Sequence, residues 1–155
     1  MIKLDGRRLT NALVKLEQAC DAMPQIAETV RAEALGHLIL GARVNIYSTT
    51  PGAYRRSQDL LRGLDTRSRA SRNRASVTVL NTVEYAVYVE TGQDSMSLAQ
   101  LQQLALLQNN PADPLSLGRS GVNWTAPGPI VTGAQVFALR RMQELFLLRA
   151  RAAVR

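Results

Sequence analysis

One cysteine, one histidine and one tryptophan occur in this chain of 155 residues. A lone cysteine excludes an intrachain disulfide, and Cys20 sits at helical spacing among apolar residues, which reads as core filler. With a single histidine, His37, set mid-helix between Gly36 and Leu38, no Cys/His spacing for a metal site exists. Neither a phosphate-cradling glycine fingerprint nor a nucleophile elbow is present. No apolar run reaches the roughly 18 residues of a membrane span. The opening MIKLDGRRLTNAL lacks the apolar core of a signal sequence, so a chain made in the cytosol is expected. Lysine is scarce too: only Lys3 and Lys15 among nineteen basic residues. The net charge of +7 is therefore almost wholly arginine. Its planar donor fork suits carboxylates and phosphates, which points to acidic protein partners or nucleic acid, with plain solubility as the simpler reading.

What is present is the material of one globular domain over residues 1–155, with ordinary apolar and charged content. Met1 to Gly6 reads as a short strand or extended arm. Leu9, Leu13, Leu16, Cys20 and Met23 recur every three or four residues, an amphipathic helix stopped at Pro24. A longer helix is expected from Gln25 to about Tyr47, with Ala27, Val30, Ala34, Leu38 and Ala42 as its stripe. Gly36 and Gly41 each weaken it by about 1 kcal/mol against alanine, a cost that suggests close approach of another backbone. Ser48–Gly52 is turn chemistry, and Tyr54–Leu64 a short helix or loop. From Asp65 the period shifts to two. Arg67 and Arg69 share one face. Val77, Val79, Asn81 and Val83 share a face, and Ser76, Thr78, Leu80 and Thr82 the other. A β-hairpin with its tip at Asn73 follows.

Tyr85 to Gly92 reads as one or two helical turns closed by glycine. Ser95 or Ser97 is placed to cap a further helix through Leu98, Leu101, Leu104, Ala105 and Leu107. Residues 111–129 form a long loop rich in Pro, Gly, Ser and Asn, with Val122 and Trp124 as its large anchors; loops of this length are commonly functional. From Val131 a final helix carries a polar arc of Arg140, Glu144, Arg151 and Arg155. Its apolar side, with Ala134, Phe137, Ala138, Met142, Leu145 and Phe146, is wider than a surface helix needs, so it should cover a sheet or meet another subunit. The expected class is α+β: two N-terminal helices, a small antiparallel sheet built on a central hairpin, and a C-terminal helix packed on the sheet.

Little here suggests catalysis. Glu84 and Glu90 could be imagined as paired acids, but a spacing of six residues puts them on different faces of a helix. The arginines are more informative: Arg55, Arg56, Arg62, Arg67, Arg69, Arg72 and Arg74 lie within twenty residues, against Asp59 and Asp65. Three readings stand side by side. The hairpin arginines could track phosphates, guard a solvated edge strand against aggregation, or pair with carboxylates of a neighbouring subunit.

Two stretches carry a family resemblance. In YSTTPGAYRRSQDLLRGL, Tyr54, Arg56, Ser57 and Leu60 follow a long helix and a Pro/Gly turn. In NTVEYAVYVETGQDSM, Tyr85, Ala86, Tyr88, Val89, Glu90 and Gly92 follow the hairpin. Together, and in this order, they resemble the neck proteins of long-tailed bacteriophages and prophages, the head–tail joining or tail-completion proteins. Thr91 and Gln93 depart from the family pattern, which often has an aromatic and a threonine there, and the segment at about 94–129 reads as variable. The resemblance implies a structural virion protein with no enzymatic activity and no cofactor. Copies would form a ring, expected to be a hexamer, between head-closure or connector proteins and the tail terminator or tail tube, with DNA in the lumen. The virion neck, after assembly in the host cytoplasm, is the implied location, with no membrane contact. Tyr54, Arg55, Arg56, Tyr85, Tyr88, Glu90, Trp124 and Arg140 are the expected subunit or partner contacts, and Arg67, Arg69, Arg72 and Arg74 the possible DNA-facing arginines. Tyr85, Tyr88 and Val89 are expected to pin a helical turn on the sheet. Glu90 is expected to lock onto Arg55 or Arg56, and the loop 111–129 to serve as a docking arm. The alternatives are a tail terminator or a free arginine-rich nucleic-acid-binding protein.

Overall fold

A computed structural model describes residues 6–52, 56–93 and 95–154. The expected strand or arm at Met1–Asp5 lies outside the described residues, as do the site candidates Tyr54 and Arg55. The fold is α+β: six α-helices, one π turn and a two-stranded antiparallel sheet among the described residues.

Helix α1 (Gly6–Cys20) leads through Asp21 and Ala22 into α2 (Met23–Ala42), with Pro24 in the first turn of the second helix, where its missing N–H costs nothing. Ile26, Val30, Ala34, Leu38 and Ala42 are buried at helical spacing, so α2 is the central post of the core. It continues as a π turn, Arg43–Tyr47. There the buried Asn45 amide donates to the Gly41 carbonyl at 3.0 Å, taking up an acceptor near the point where the α-helical ladder gives way.

A short helix α3 (Asp59–Arg62) precedes strands β1 (Leu64–Ser71) and β2 (Arg74–Asn81). Their register pairs Leu64 with Asn81, Thr66 with Val79 and Ser68 with Val77 on the face toward α2. Arg67 opposite Thr78 and Arg69 opposite Ser76 face outward. The alternation read from the sequence is the alternation found, and Arg72-Asn73 form the tip.

Helix α4 (Ala86–Thr91) is closed by Gly92 at φ 67°, a left-handed geometry that glycine adopts without strain. Helix α5 (Leu98–Leu107) begins with Ser97 accepting from the Gln100 N–H, while the Gln100 side chain accepts from the Ser97 N–H.

The last helix, α6 (Ile130–Val154), packs chiefly on α2, and also on α1, α5 and β2. Its wide apolar side thus covers a helix more than a sheet. The two long helices run antiparallel. Gly41 sits beside Ile130, His37 stacks on Phe137 with ring centroids 4.6 Å apart, and Glu33 pairs with Arg141. A Cβ at Gly41 would stand 3.6 Å from the Ile130 backbone, so this glycine does mark a close approach; Gly36 faces open space.

Candidate functional site

Three short segments converge beside the start of α6. Turn residues 48–52 meet the loop at Gly121, whose N–H donates to the Thr50 carbonyl at 2.9 Å. A Cβ on either Gly52 or Gly121 would overlap the other's backbone, so both must be glycine for the segments to touch. Helix α4 joins the same loop through the Val89 carbonyl, which accepts from the Gly128 N–H at 2.8 Å. The buried Arg119 guanidinium donates to the carbonyls of Ala126, at 2.8 Å, and Val89.

The loop 111–129 is therefore not extended but bonded back onto its own chain. His37 Nε2 lies 3.1 Å from the Pro111 carbonyl, which only accepts, so this nitrogen carries the proton. Burial holds the His37 pKa below the usual histidine value, against the pull of the Pro111 and Asp113 carbonyls. Asn45 donates to Leu115 O at 3.0 Å and Gln93 N–H to Thr125 O at 3.0 Å. Composition made the segment read as free because the partners of its backbone lie far along the chain.

Between these segments opens a cleft of about 710 Å³, lined by Gly52, Tyr85, Val89, Arg119, Gly121, Val122 and Trp124. It continues past Tyr88 and Gln93 on one side and toward Tyr47, Arg56 and Leu60 on the other. Its lining is mostly apolar and its rim aromatic: Trp124 is 49% exposed, Tyr88 67% and Val122 73%. The tyrosines do not pin α4 to the sheet. A six-residue helix has one inward face, and Ala86, Val89 and Glu90 occupy it, which turns Tyr85 and Tyr88 to solvent.

Glu90 makes no ion pair with Arg56. It is 5% exposed and accepts from the N–H of Val131 at 2.5 Å, and from the N–H and hydroxyl of Thr132 at 3.2 and 2.9 Å. It thus caps the first turn of α6, where backbone donors lack helical partners and the helix dipole favours negative charge. Burial pushes its pKa above the ordinary carboxylate range, opposed by the bonds from Val131 and Thr132. Arg56 instead donates to the carbonyls of Thr49, at 2.9 Å, and Thr50, at 2.6 Å, and so fixes the turn that forms one cleft wall.

Of the expected contact residues, the fold thus brings Arg56, Tyr85, Tyr88 and Trp124 to one surface. Arg140 is elsewhere: its guanidinium donates to the carbonyls of Leu106 and Gln108, satisfying the C-terminal end of α5. Val122 had been read only as an anchor of the loop; Arg119 and the Gly52–Gly121 pair were missed, because nothing in their local sequence ties residue 52 to residue 121.

The hairpin arginines do not act alike. Arg72 pairs with Glu17 at 3.0 Å and Asp21 at 2.8 Å, tying the hairpin tip to the end of α1. Arg67 pairs with Asp65 at 3.0 Å. Arg69 and Arg74 are exposed. Among the described residues no group of three His, Cys, Asp or Glu could hold a metal ion, and no helix is long and apolar enough to cross a membrane.

The fold and the site together define an α+β chain with an open aromatic cleft at the foot of its longest helix. No protein-family model, curated protein or solved structure matches this chain.

Proposed function

We propose that this chain is a structural protein of the bacteriophage or prophage neck, one subunit of a ring that joins the head connector to the tail. The observation that carries this reading is the division of labour in YAVYVETG, the stretch that bears the family resemblance. Its inward residues, Ala86, Val89 and Glu90, fasten α4 to the start of α6, while Tyr85 and Tyr88 stand at the rim of a cleft with Trp124. Exposed aromatic residues around an apolar depression are the kind of surface that protein partners bury. The order of long helix, turn, hairpin, short helix and final helix agrees with the resemblance as well. The work of such a subunit is geometric: unlike faces meet, the ring closes, and the neighbours above and below are held in register.

Deletion of the gene from the phage or prophage that encodes it is the direct test. Electron micrographs should show filled heads and finished tails lying unattached. Particles with firmly joined, infectious tails would exclude the role.

The outward Arg67, Arg69 and Arg74 favour a second reading, non-specific binding of nucleic acid. With two of the four hairpin arginines engaged by carboxylates of their own chain, the isolated protein should bind duplex DNA weakly at physiological salt. Tight, steeply salt-dependent binding by the monomer would favour the second reading over the first.

A further inference from the structure

We propose that the outer edge of β2 is a docking site for an extended, acidic segment of another protein, which adds to the hairpin as a third strand. The site is defined by the hairpin and the helices around it, and it holds whether or not the chain belongs to a phage neck.

The register decides which backbone groups are left over. Ser71 pairs with Arg74 across the tip, so the pairs that exchange hydrogen bonds are Ser71–Arg74, Arg69–Ser76, Arg67–Thr78 and Asp65–Leu80. The bond from the Thr82 N–H to the Gly63 carbonyl, at 2.9 Å, keeps the same phase. The intervening residues turn their N–H and C=O groups to the outer edges: Thr66, Ser68 and Ala70 on β1, and Ala75, Val77 and Val79 on β2. The two edges differ. On β1 the Asp65 carboxylate accepts from the Thr66 N–H at 2.8 Å. On β2 the N–H groups of Ala75, Val77 and Val79 meet no acceptor among the described residues. An unpaired strand edge of this kind is a template for another strand.

Space lies beside that edge. A cavity of about 310 Å³ touches Val79, Leu80 and Asn81 together. Consecutive residues of a strand point to opposite faces, so a cavity lined by all three runs along the edge and not against either face. Its other walls include Val87 of α4, Gln102 of α5, and Val131 and Gln135 of α6. Helix α6 already contacts β2, so a third strand laid there rests on α6 as the first two rest on α2.

Charge selects the occupant. Alternate residues of an added strand face the helices or share the outer face with Arg74, Ser76 and Thr78. On that outer face Arg67 is held by Asp65, and at the tip Arg72 is held by Glu17 and Asp21. Arg69 and Arg74 are exposed and make no ion pair among the described residues. Glu90, the carboxylate in the cavity wall, is taken up by the Val131 and Thr132 donors on the helix side. Carboxylates on the outer face of the added strand therefore meet Arg74 on the adjacent strand and Arg69 one strand beyond, whereas cations there are repelled. The segment that fits is apolar on one side and carries aspartate or glutamate on the other.

The test adds to the full chain a capped peptide of about six residues, the length of an ordinary strand, alternating glutamate and valine. Amide exchange is followed residue by residue by NMR. In the free protein Ser76 and Thr78, inside the ladder, should exchange slowly, and Ala75, Val77 and Val79 fast. The peptide should slow those three and leave the others unchanged. The same peptide with lysine in place of glutamate should bind about tenfold more weakly or worse. So should the acidic peptide to the variant Arg69→Glu with Arg74→Glu, whose exposed substitutions leave the thermal melt in place. Val77→Pro removes an N–H that the hairpin does not use and bars the edge, so it should abolish the protection. No binding of the acidic peptide, binding that leaves the three amides fast, or equal binding of both peptides would overturn the proposal. Slow exchange of the three amides that deepens with protein concentration alone would overturn it too, by making a second copy the occupant. Duplex DNA that shifts Arg69 and Arg74 while the acidic peptide has no effect would assign these arginines to nucleic acid instead.

Discussion

Glu90 shows how a single side chain can fasten one element to another. A carboxyl buried between α4 and α6 faces two opposing effects: loss of water disfavours its charge, and three donors favour it. Replacing it with alanine strands the Val131 and Thr132 donors in a buried place, at a cost of about 2–3 kcal/mol. Glu90→Gln keeps the volume and an acceptor oxygen, and should cost less, about 1 kcal/mol. The pH dependence has a definite sign. With its folded pKa raised by burial above the ordinary 4.5, Glu90 contributes stability that is complete below the unfolded value and lost as pH rises through the folded one. Thermal melts of both proteins from acid to neutral pH should therefore show wild type losing ground to Glu90→Gln as pH rises. Wild type gaining ground instead would mean that the helix terminus outweighs the burial. The sequence marked Glu90 as a lock onto Arg55 or Arg56, because it stands near the turn and the arginine-rich segment. It did not mark the partner, because backbone N–H groups forty residues away carry no residue code.

Between elements, glycines separate close approach from mere tolerance. Gly121 and Gly52 bring the loop and the turn into backbone contact, and the cleft wall depends on it. Gly121→Ala forces those backbones apart and should cost about 1–3 kcal/mol, as overpacking does. Gly36 lies on the exposed side of α2, where an added Cβ meets nothing within 4 Å. Gly36→Ala should raise stability by about 0.8–1 kcal/mol through helix propensity alone. Chemical denaturation of the two variants checks both signs. Periodicity made α1, α2, the hairpin, α5 and α6 legible, since each repeats its apolar residues at the spacing of its own geometry. The packing partners were less so. The apolar width of α6 is used against α2, with small residues such as Gly41 and Ala138 at the contact, where a sheet had been one expectation. Loop 111–129 was misjudged most, because its order comes from Asn45, His37 and Val89, none of which lies near it in sequence.

At the scale of the whole molecule, charge and apolar exposure are distributed unevenly. The aromatic cleft opens beside the start of α6, and Leu9 and Leu13 of α1 and Leu147 and Leu148 of α6 are exposed as well. On the proposed neck reading, exposed apolar and aromatic surfaces of this kind are the ones neighbouring chains would cover. The resemblance to neck proteins is the setting proposed for those surfaces, with Glu90 fastening α4 inward and Tyr85 and Tyr88 turned outward. The most direct measurement is a cryo-electron microscopy reconstruction of the head–tail junction of the phage or prophage particle that encodes this chain. The expected result is a ring of density at the neck into which this fold fits, with the exposed Tyr88 and Trp124 covered by a neighbouring chain; a junction with no density for the chain would contradict it.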